Sequence, residues 1–169
     1  MTTYHDLPTP DENSVQRSQM LCDVIQQKIQ QHKGRIPFSL FMELALYHRE
    51  YGYYQAQDFT LGRHGDFTTA PEISPLFAKC FARQYRQIIA SGTVNTVLEL
   101  GAGTGRFALD FLLTLDADHA LPQRYFIYEI SSSLRHKQRA LFAAERSDLW
   151  RILFACALES CDTERRRHR

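Results

Sequence analysis

The sequence predicts an α/β protein in which a helical N-terminal lobe precedes the first part of a parallel sheet. Three amphipathic stretches come before residue 93, and short apolar runs alternate with helical ones after it. The segment "TVLELGAGTGRFALDFL", which starts at Thr96, joins an apolar run to an amphipathic run through three glycines at alternate positions. A strand–helix–strand–helix order of this kind implies parallel strands.

The pattern divides the chain into four parts. Residues 1–14 are polar, contain prolines and are predicted to be a flexible lead. Residues 15–92 form the helical lobe, and residues 93–150 form the partial sheet domain. Residues 151–169 are an atypical tail in which four of the last five positions are arginine.

Two helices are predicted in the first part of the lobe. The first begins at Ser14 and ends at Gly34, a position that suits the left-handed residue after a helix. The second is opened by Pro37 or Ser39 and closed by Gly52. We expect the second helix to bury Phe41, Leu44, Ala45 and Tyr47.

The segment from residue 53 to 73 has no helical period, so we expect it to be extended and rich in loops. A third helix follows, with Ser74 as its N-cap, Pro75 in its first turn and Gly92 just beyond its end. Its predicted apolar face consists of Phe77, Cys80, Phe81, Tyr85, Ile88 and Ile89.

The partial sheet domain starts with "NTVLEL", a run typical of a buried strand. "GRFALDFLLTLDA" predicts a helix with Phe107, Leu109, Leu112 and Leu113 directed inward. "RYFIYEIS" predicts a second buried strand, and "SSLRHKQRALFAAE" a helix capped by Ser131 or Ser132. "WRILFA" could add a third strand.

Composition excludes several classes of function. The net charge of +1 supplies no electrostatic reason to bind nucleic acid or a membrane surface. The sequence has neither an apolar run long enough to span a membrane nor the features of a secretory signal, so we expect a cytoplasmic protein. The four cysteines form no C-x-x-C pair and the histidines have no ligand spacing, so we expect no metal site.

The three glycines suggest a loop that lies against a ligand. Glycine permits positive φ angles and close backbone approach, and the following helix begins with free N–H groups. The spacing of Gly101, Gly103 and Gly105 departs from the dinucleotide pattern G-x-G-x-x-G, because Arg106 stands where the third glycine should be. This departure disfavours a nicotinamide-dependent oxidoreductase, and the phosphate-loop pattern is absent.

The pattern E-x-G-x-G-x-G, which includes Glu99, resembles motif I of Rossmann-like S-adenosylmethionine methyltransferases. In those enzymes the loop passes beneath the methionine and ribose portions of the cofactor, and the acid organises the pocket around its amino end. A second acid, at the end of the next strand, accepts hydrogen bonds from the ribose hydroxyls. Glu129 in "YFIYEIS" has the residue type and position for that role.

A longer stretch, "GDFTTAPEISPLF" from Gly65 to Phe77, narrows the resemblance. With "FMELALYHREYGYY" before it and "LELGAGTGRFALD" after it, the chain resembles the MidA-like methyltransferase family over about residues 18–142. That family includes the mitochondrial complex I assembly factor with protein arginine methyltransferase activity. Ala78 departs from it, because the family more often has glycine there.

The resemblance implies a Rossmann-like class I methyltransferase sheet that is incomplete here, with S-adenosyl-L-methionine as the cofactor. The implied cofactor contacts are Glu99, Gly101, Ala102, Gly103, Gly105 and Glu129. It also implies a loop over the cofactor and the reaction site, formed by Asp66, Phe67, Thr68, Thr69, Pro71 and Glu72.

Methylation of a guanidinium needs a carboxylate that orients the acceptor or takes its proton. Asp66 and Glu72 are both candidates for this catalytic role. The alternative for each is that it caps a turn or a helix. The sequence does not choose between them.

The expected function is therefore S-adenosylmethionine-dependent methyl transfer, with a protein arginine as acceptor and a respiratory complex I subunit as the candidate substrate. Members of the family run to about twice this length, so we interpret the chain as truncated and its tail as a product of frameshifted coding. The alternative function is a non-catalytic methyltransferase remnant that acts as an assembly or interaction module. The oligomeric state is left open.

Overall fold

The structure is a computed structural model that describes residues 9–55, 68–92 and 95–156. The predicted catalytic residue Asp66, the loop residue Phe67 and the tail beyond residue 156 lie outside the described residues, as does most of the predicted flexible lead. The chain divides into two compact units, Met1–Ala56 and Gln57–Arg169. The four-part division made from the sequence stays a prediction.

The first unit begins with helix α1 (Glu12–Gln31). Its N-cap is Asp11, whose carboxylate accepts the Ser14 N–H at 2.7 Å, so the helix starts two residues before the predicted start at Ser14. The helix ends at Gln31, three residues before the predicted Gly34. Gly34 has φ of +84° and donates its N–H to the Ile29 carbonyl at 2.9 Å.

Helix α2 (Phe38–Tyr47) follows Pro37, as predicted, but it ends before Gly52. Gly52 has a different reason to be glycine: a Cβ atom there would lie 2.4 Å from the backbone nitrogen of His48. The predicted burial of Phe41, Leu44, Ala45 and Tyr47 is wrong, because α2 has no buried residue among them.

The first element that the structure describes in the second unit is a short helix, α3 (Ala70–Ile73), inside the stretch that was predicted to be a loop. The longer helix α4 (Leu76–Ile89) comes next. The Ser74 hydroxyl accepts the Leu76 N–H at 3.2 Å, and Pro75 has helical φ and ψ angles. The helix therefore starts within one residue of the prediction, but its N-cap is Pro75 and not Ser74.

The predicted face of α4 is confirmed at Tyr85, which is buried, and at Ile89, which packs partly buried against the core, but not at its other positions. Ala78, Ala82 and Tyr85 are buried, whereas Phe77 and Phe81 are 40% and 50% exposed. Ile88 and Cys80 are also exposed. The helix buries its small residues in the core, while the half-exposed rings of Phe77 and Phe81 contact the ring of Phe107.

The sheet contains three parallel strands among the described residues, β1 (Thr96–Leu100), β2 (Arg124–Tyr128) and β3 (Leu153–Cys156), in that spatial order. Val97 pairs with Tyr125, which pairs with Leu153 on the other side. The α/β fold and the third strand in "WRILFA" are thereby confirmed. Parallel neighbours need crossover connections, which helices α5 (Arg106–Ala117) and α6 (Ser132–Glu145) supply.

One face of the sheet carries the core of this unit. The side chains of Tyr125, Ile127 and Leu153 are buried together with Leu109 and Leu112 of α5, as the sequence predicted for that helix. Ser131 is confirmed as the N-cap of α6, because its hydroxyl accepts the Leu134 N–H at 3.1 Å.

The other face of β1 is open among the described residues. Leu98 and Leu100 are 63% and 71% exposed, so the prediction of a fully buried first strand is wrong. Parallel sheets normally have helices packed on both faces. Here the helices that the structure describes cover the face that carries Val97 and Glu99.

Candidate functional site

The candidate site is built around the turn that leads from β1 into α5. Its three glycines all have left-handed backbone angles, with φ of +67° at Gly101, +56° at Gly103 and +89° at Gly105. Gly105 is the N-cap residue of α5. The Gly101 N–H donates to the Tyr128 carbonyl at 2.8 Å, which ties the turn to the end of β2. The sequence therefore has glycine where the backbone requires it.

The glycines differ in what surrounds them. A Cβ atom added at Gly101 would meet nothing within 4 Å, so open space lies above that residue. A Cβ atom at Gly105 would lie 3.1 Å from Cγ of Gln138, closer than ordinary van der Waals contact. The start of the turn is thus accessible to a ligand, whereas its end is packed against helix α6.

Glu99 lies near the end of β1, and its carboxylate is partly buried. The Tyr125 hydroxyl donates to Oε2 of Glu99 at 2.8 Å. Burial raises the pKa of Glu99 to about 7, the Tyr125 hydrogen bond opposes this rise, and the negative charge of Glu129 adds to it. Burial, followed by the charge of Glu99, also raises the pKa of Tyr125, so the phenol remains the donor.

Glu129 follows β2 directly and is 6% exposed. Its Oε1 accepts the Ser131 N–H at 2.9 Å. Burial raises the pKa of Glu129, although the backbone N–H groups of Ser131, Gly103 and Ile130 favour its charged form. The Arg135 guanidinium donates to the backbone carbonyls of Glu129 and Ile130, at 2.8 and 2.7 Å.

The two acids flank the glycine turn from neighbouring strands. Burial disfavours the charged form of both, and the charge of Glu129 raises the pKa of Glu99 further. A site of this kind favours a ligand that brings a positive charge and hydroxyl donors, since both would stabilise the carboxylates. The cation would compensate Glu99, and hydroxyl groups could donate to Glu129.

Glu72 contacts the same turn from helix α3. The Thr104 hydroxyl donates to Oε1 of Glu72 at 2.5 Å and accepts the Arg106 N–H at 3.3 Å. The Arg106 side chain turns back along α5, where its Nε donates to Asp110 Oδ2 at 3.3 Å. The end of the "TTAPEIS" segment is therefore tied to the turn, while the catalytic roles suggested for Glu72 and Asp66 stay predictions.

Three polar residues that contact the site residues were missed from the sequence: Tyr125, Thr104 and Gln138. Tyr125 lies in an apolar strand, where its ring alone explains its burial. Gln138 gives a clearer signal, because it occupies the same face of α6 as Leu134 and Phe142, at a spacing of four residues. A polar residue in a buried stripe must find a hydrogen-bond partner.

The described residues hold no group of histidine, cysteine and acidic side chains arranged to bind a metal ion. No helix within the described ranges is long and apolar enough to cross a membrane.

The parallel sheet, the glycine turn and the two flanking acids define a Rossmann-like nucleoside-binding fold. A family of putative S-adenosyl-L-methionine-dependent methyltransferases matches residues 76–165. The chain belongs to this family.

Individual relatives support the assignment. A crystal structure of a Burkholderia thailandensis protein, described as a "likely methyl transferase" and bound to S-adenosyl-homocysteine, superimposes with a TM-score of 0.80 and 35% identity over 89% of this chain. A second structure of a protein from that organism has a TM-score of 0.74 and 34% identity over 89% of this chain, and this chain covers 38% of it.

Two curated relatives carry the name protein arginine methyltransferase. The mitochondrial NDUFAF7 homologue of Drosophila melanogaster is 36% identical over 86 residues, and mouse NDUFAF7 is 38% identical over 82 residues. These alignments cover 48% and 47% of this chain but 19% of either relative. The chain thus spans about a fifth of the curated relatives and 40% of the first structure.

Proposed function

We propose that this chain binds S-adenosylmethionine at the glycine turn and that it belongs to an enzyme which methylates protein arginine. Cofactor binding is supported by two acids on either side of the turn, the partly buried Glu99 and the buried Glu129. Between them the turn has open space above Gly101. S-adenosylmethionine offers what this pair lacks: a cationic amino group and two ribose hydroxyls.

The residues of the site fit this ligand. Glu99 would face the ammonium group, whose charge would draw the pKa of Glu99 back down from about 7. Glu129 would accept hydrogen bonds from the ribose hydroxyls, and the backbone of Gly101, Ala102 and Gly103 would lie beneath the ligand. Gly105 differs from these residues, because Gln138 occupies the space in which a Cβ atom at position 105 would lie.

When bound, the cofactor supplies an electrophilic methyl group on a sulfonium. The protein's contribution is to align the acceptor, exclude water and handle the proton of the acceptor nitrogen. Arginine as acceptor is supported by the names of the curated relatives, and a respiratory complex I subunit is a narrower proposal that rests on those names alone.

The proposed cofactor is tested by comparing the binding of three ligands. The purified chain would be titrated with S-adenosylmethionine, S-adenosyl-homocysteine and NAD⁺, with binding followed by isothermal calorimetry. We expect the first two to bind and NAD⁺ not to bind. Preferential binding of NAD⁺ would overturn the assignment in favour of an oxidoreductase.

The acceptor part requires transfer to be measured. The chain would be incubated with S-adenosylmethionine and an arginine-containing protein substrate, and methylated arginine would be quantified by mass spectrometry. Asp66→Asn and Glu72→Gln would be compared, because each removes one candidate carboxylate while preserving its size. If the unmodified chain binds the cofactor but transfers no methyl group, the result would favour the non-catalytic alternative. The cytoplasmic localisation is a separate prediction that this experiment does not address.

A further inference from the structure

Helix α6 carries a fully buried amide that touches the glycine turn. Gln138 has 0% exposure and lies between Leu134 and Phe142 on the buried face of the helix. Its Nε2 donates to the Gly103 carbonyl at 2.9 Å. Its Oε1 is buried and has no hydrogen-bond partner among the residues that the structure describes. A buried amide with an unsatisfied oxygen is unfavourable for folding, so its presence in an apolar stripe needs another explanation.

We propose that Gln138 is a positioning residue for the cofactor turn. Gly103 is held at both of its polar atoms by the segment that follows β2. Its N–H faces the Glu129 carboxylate, where it favours the charged form, and its carbonyl accepts from Gln138. Together these contacts fix the backbone angles of Gly103, the residue at the centre of the turn. This inference rests on the proposed function, since it assigns a role in cofactor binding.

The third glycine of the turn, Gly105, makes room for the contact between Gln138 and Gly103. Gly105 has φ of +89°, and a Cβ atom on it would lie 3.1 Å from Cγ and 3.4 Å from Cβ of Gln138. Gln138 can therefore reach the Gly103 carbonyl only because residue 105 has no side chain in its path. Gly105 and Gln138 therefore form a matched pair at the end of the turn, whereas the space next to Gly101 is open.

A positioning role and a purely structural role predict different results for Gln138→Met. Methionine has nearly the same shape, removes the unsatisfied oxygen and cannot donate to Gly103. If Gln138 served only the core, the variant would bind the cofactor as the unmodified chain does. The positioning role instead predicts weaker binding together with a less rigid turn.

The experiment measures S-adenosyl-homocysteine binding by calorimetry and amide hydrogen exchange by NMR, in the unmodified chain, in Gln138→Met and in Leu134→Met. The last variant is the control, because it places methionine one turn earlier on the same buried stripe. We expect Gln138→Met to weaken binding by about fivefold to tenfold, the effect of one buried hydrogen bond. We also expect faster exchange at Gly103 and Gly105, with neither change in the control.

Unchanged affinity and unchanged exchange in Gln138→Met would overturn the proposal. If the unmodified chain binds no S-adenosyl-homocysteine, the proposed function fails, and the exchange rates still decide whether Gln138 holds the turn. If Gln138→Met does not fold, Gln138→Leu is measured in its place, because leucine is the residue type already present at position 134. A turn that exchanges no faster in that variant would also contradict the proposal.

Discussion

The Tyr125 hydroxyl donates to the Glu99 carboxylate at 2.8 Å, from β2 to the neighbouring strand β1. The two residues lie on the side of the sheet that the helices cover. This hydrogen bond is the interaction that favours the charged form of Glu99 against the effect of burial. Tyr125 therefore helps to keep a carboxylate available beside the glycine turn.

Replacing Tyr125 by phenylalanine should weaken cofactor binding and destabilise the fold. Loss of the donor leaves a desolvated carboxylate, which costs about 1–3 kcal/mol, and raises the pKa of Glu99 further above 7. The affinity at pH 7.5 would be measured by calorimetry and the stability by urea unfolding. Tyr128→Phe is the matched control, because Tyr128 belongs to the same strand and faces the other side of the sheet. Equal effects in both variants would contradict this account.

The pKa of Glu99 predicts how stability depends on pH. Because its pKa is raised from 4.5 to about 7 in the folded protein, the folded state binds more protons than the unfolded state between these values. The free energy of unfolding of the ligand-free chain should therefore fall as pH rises from 4.5 to 7. Glu129, whose pKa is also raised, acts in the same direction.

Glu99→Gln tests that sign. The variant cannot ionise, so its melting temperature should fall less than that of the unmodified chain as pH rises towards 7, and it should be the more stable of the two at pH 8. Its affinity for S-adenosylmethionine should nevertheless be lower, since the ammonium group loses its counter-charge. A variant that is less stable at pH 8 and retains full affinity would show that the Glu99 charge is compensated in another way.

Alanine at Gly101 and at Gly105 should have separate consequences. Both positions have positive φ, so each substitution costs about 1–2 kcal/mol of backbone strain. At Gly101 the added Cβ projects into open space, where it would obstruct the ligand. At Gly105 it crowds Gln138.

We therefore expect Gly101→Ala to lower affinity more than stability, and Gly105→Ala to lower stability more than Gly101→Ala does. Calorimetry and thermal unfolding of the two variants, measured side by side, provide the comparison. The reverse order would mean that the ligand lies against the end of the turn and not against its beginning.

Thr104→Val should detach helix α3 from the turn. The Thr104 hydroxyl both donates to Glu72 and accepts the Arg106 N–H, so its loss leaves two groups without that partner. We expect a loss of stability of about 1–3 kcal/mol and faster proteolysis near residue 70. Thr114→Val is the control, because its hydroxyl donates to the Asp110 carbonyl within α5. Indistinguishable cleavage patterns would contradict a tie between α3 and the turn.

The strands, the glycine turn and the Ser131 cap follow from local patterns, and all of them were predicted from the sequence. The faces of the helices were harder to predict. In α4 the predicted face includes the buried Tyr85 but misses Ala78 and Ala82, the other two residues that the helix buries. How closely two helices approach depends on the side chains of both, and the apolar period of one helix does not reveal which helix it packs against.

The candidate site was likewise predicted in part. Glu99 and Glu129 stand at fixed places relative to the strands, so they could be identified as flanking residues. Tyr125 and Gln138 could not, since each reaches the site from a buried position across a gap of 26 or 35 residues in the chain. Only the fold brings those donors to the carboxylate and to the turn.

Calorimetric titration of the purified chain with S-adenosylmethionine decides whether the glycine turn forms a binding site for this ligand. Gly103→Asp is the control, because a side chain and a negative charge at the centre of the turn should abolish binding. The account predicts saturable binding at a ratio of one to one that is lost in the variant. A folded, monodisperse sample that binds no S-adenosylmethionine would contradict it.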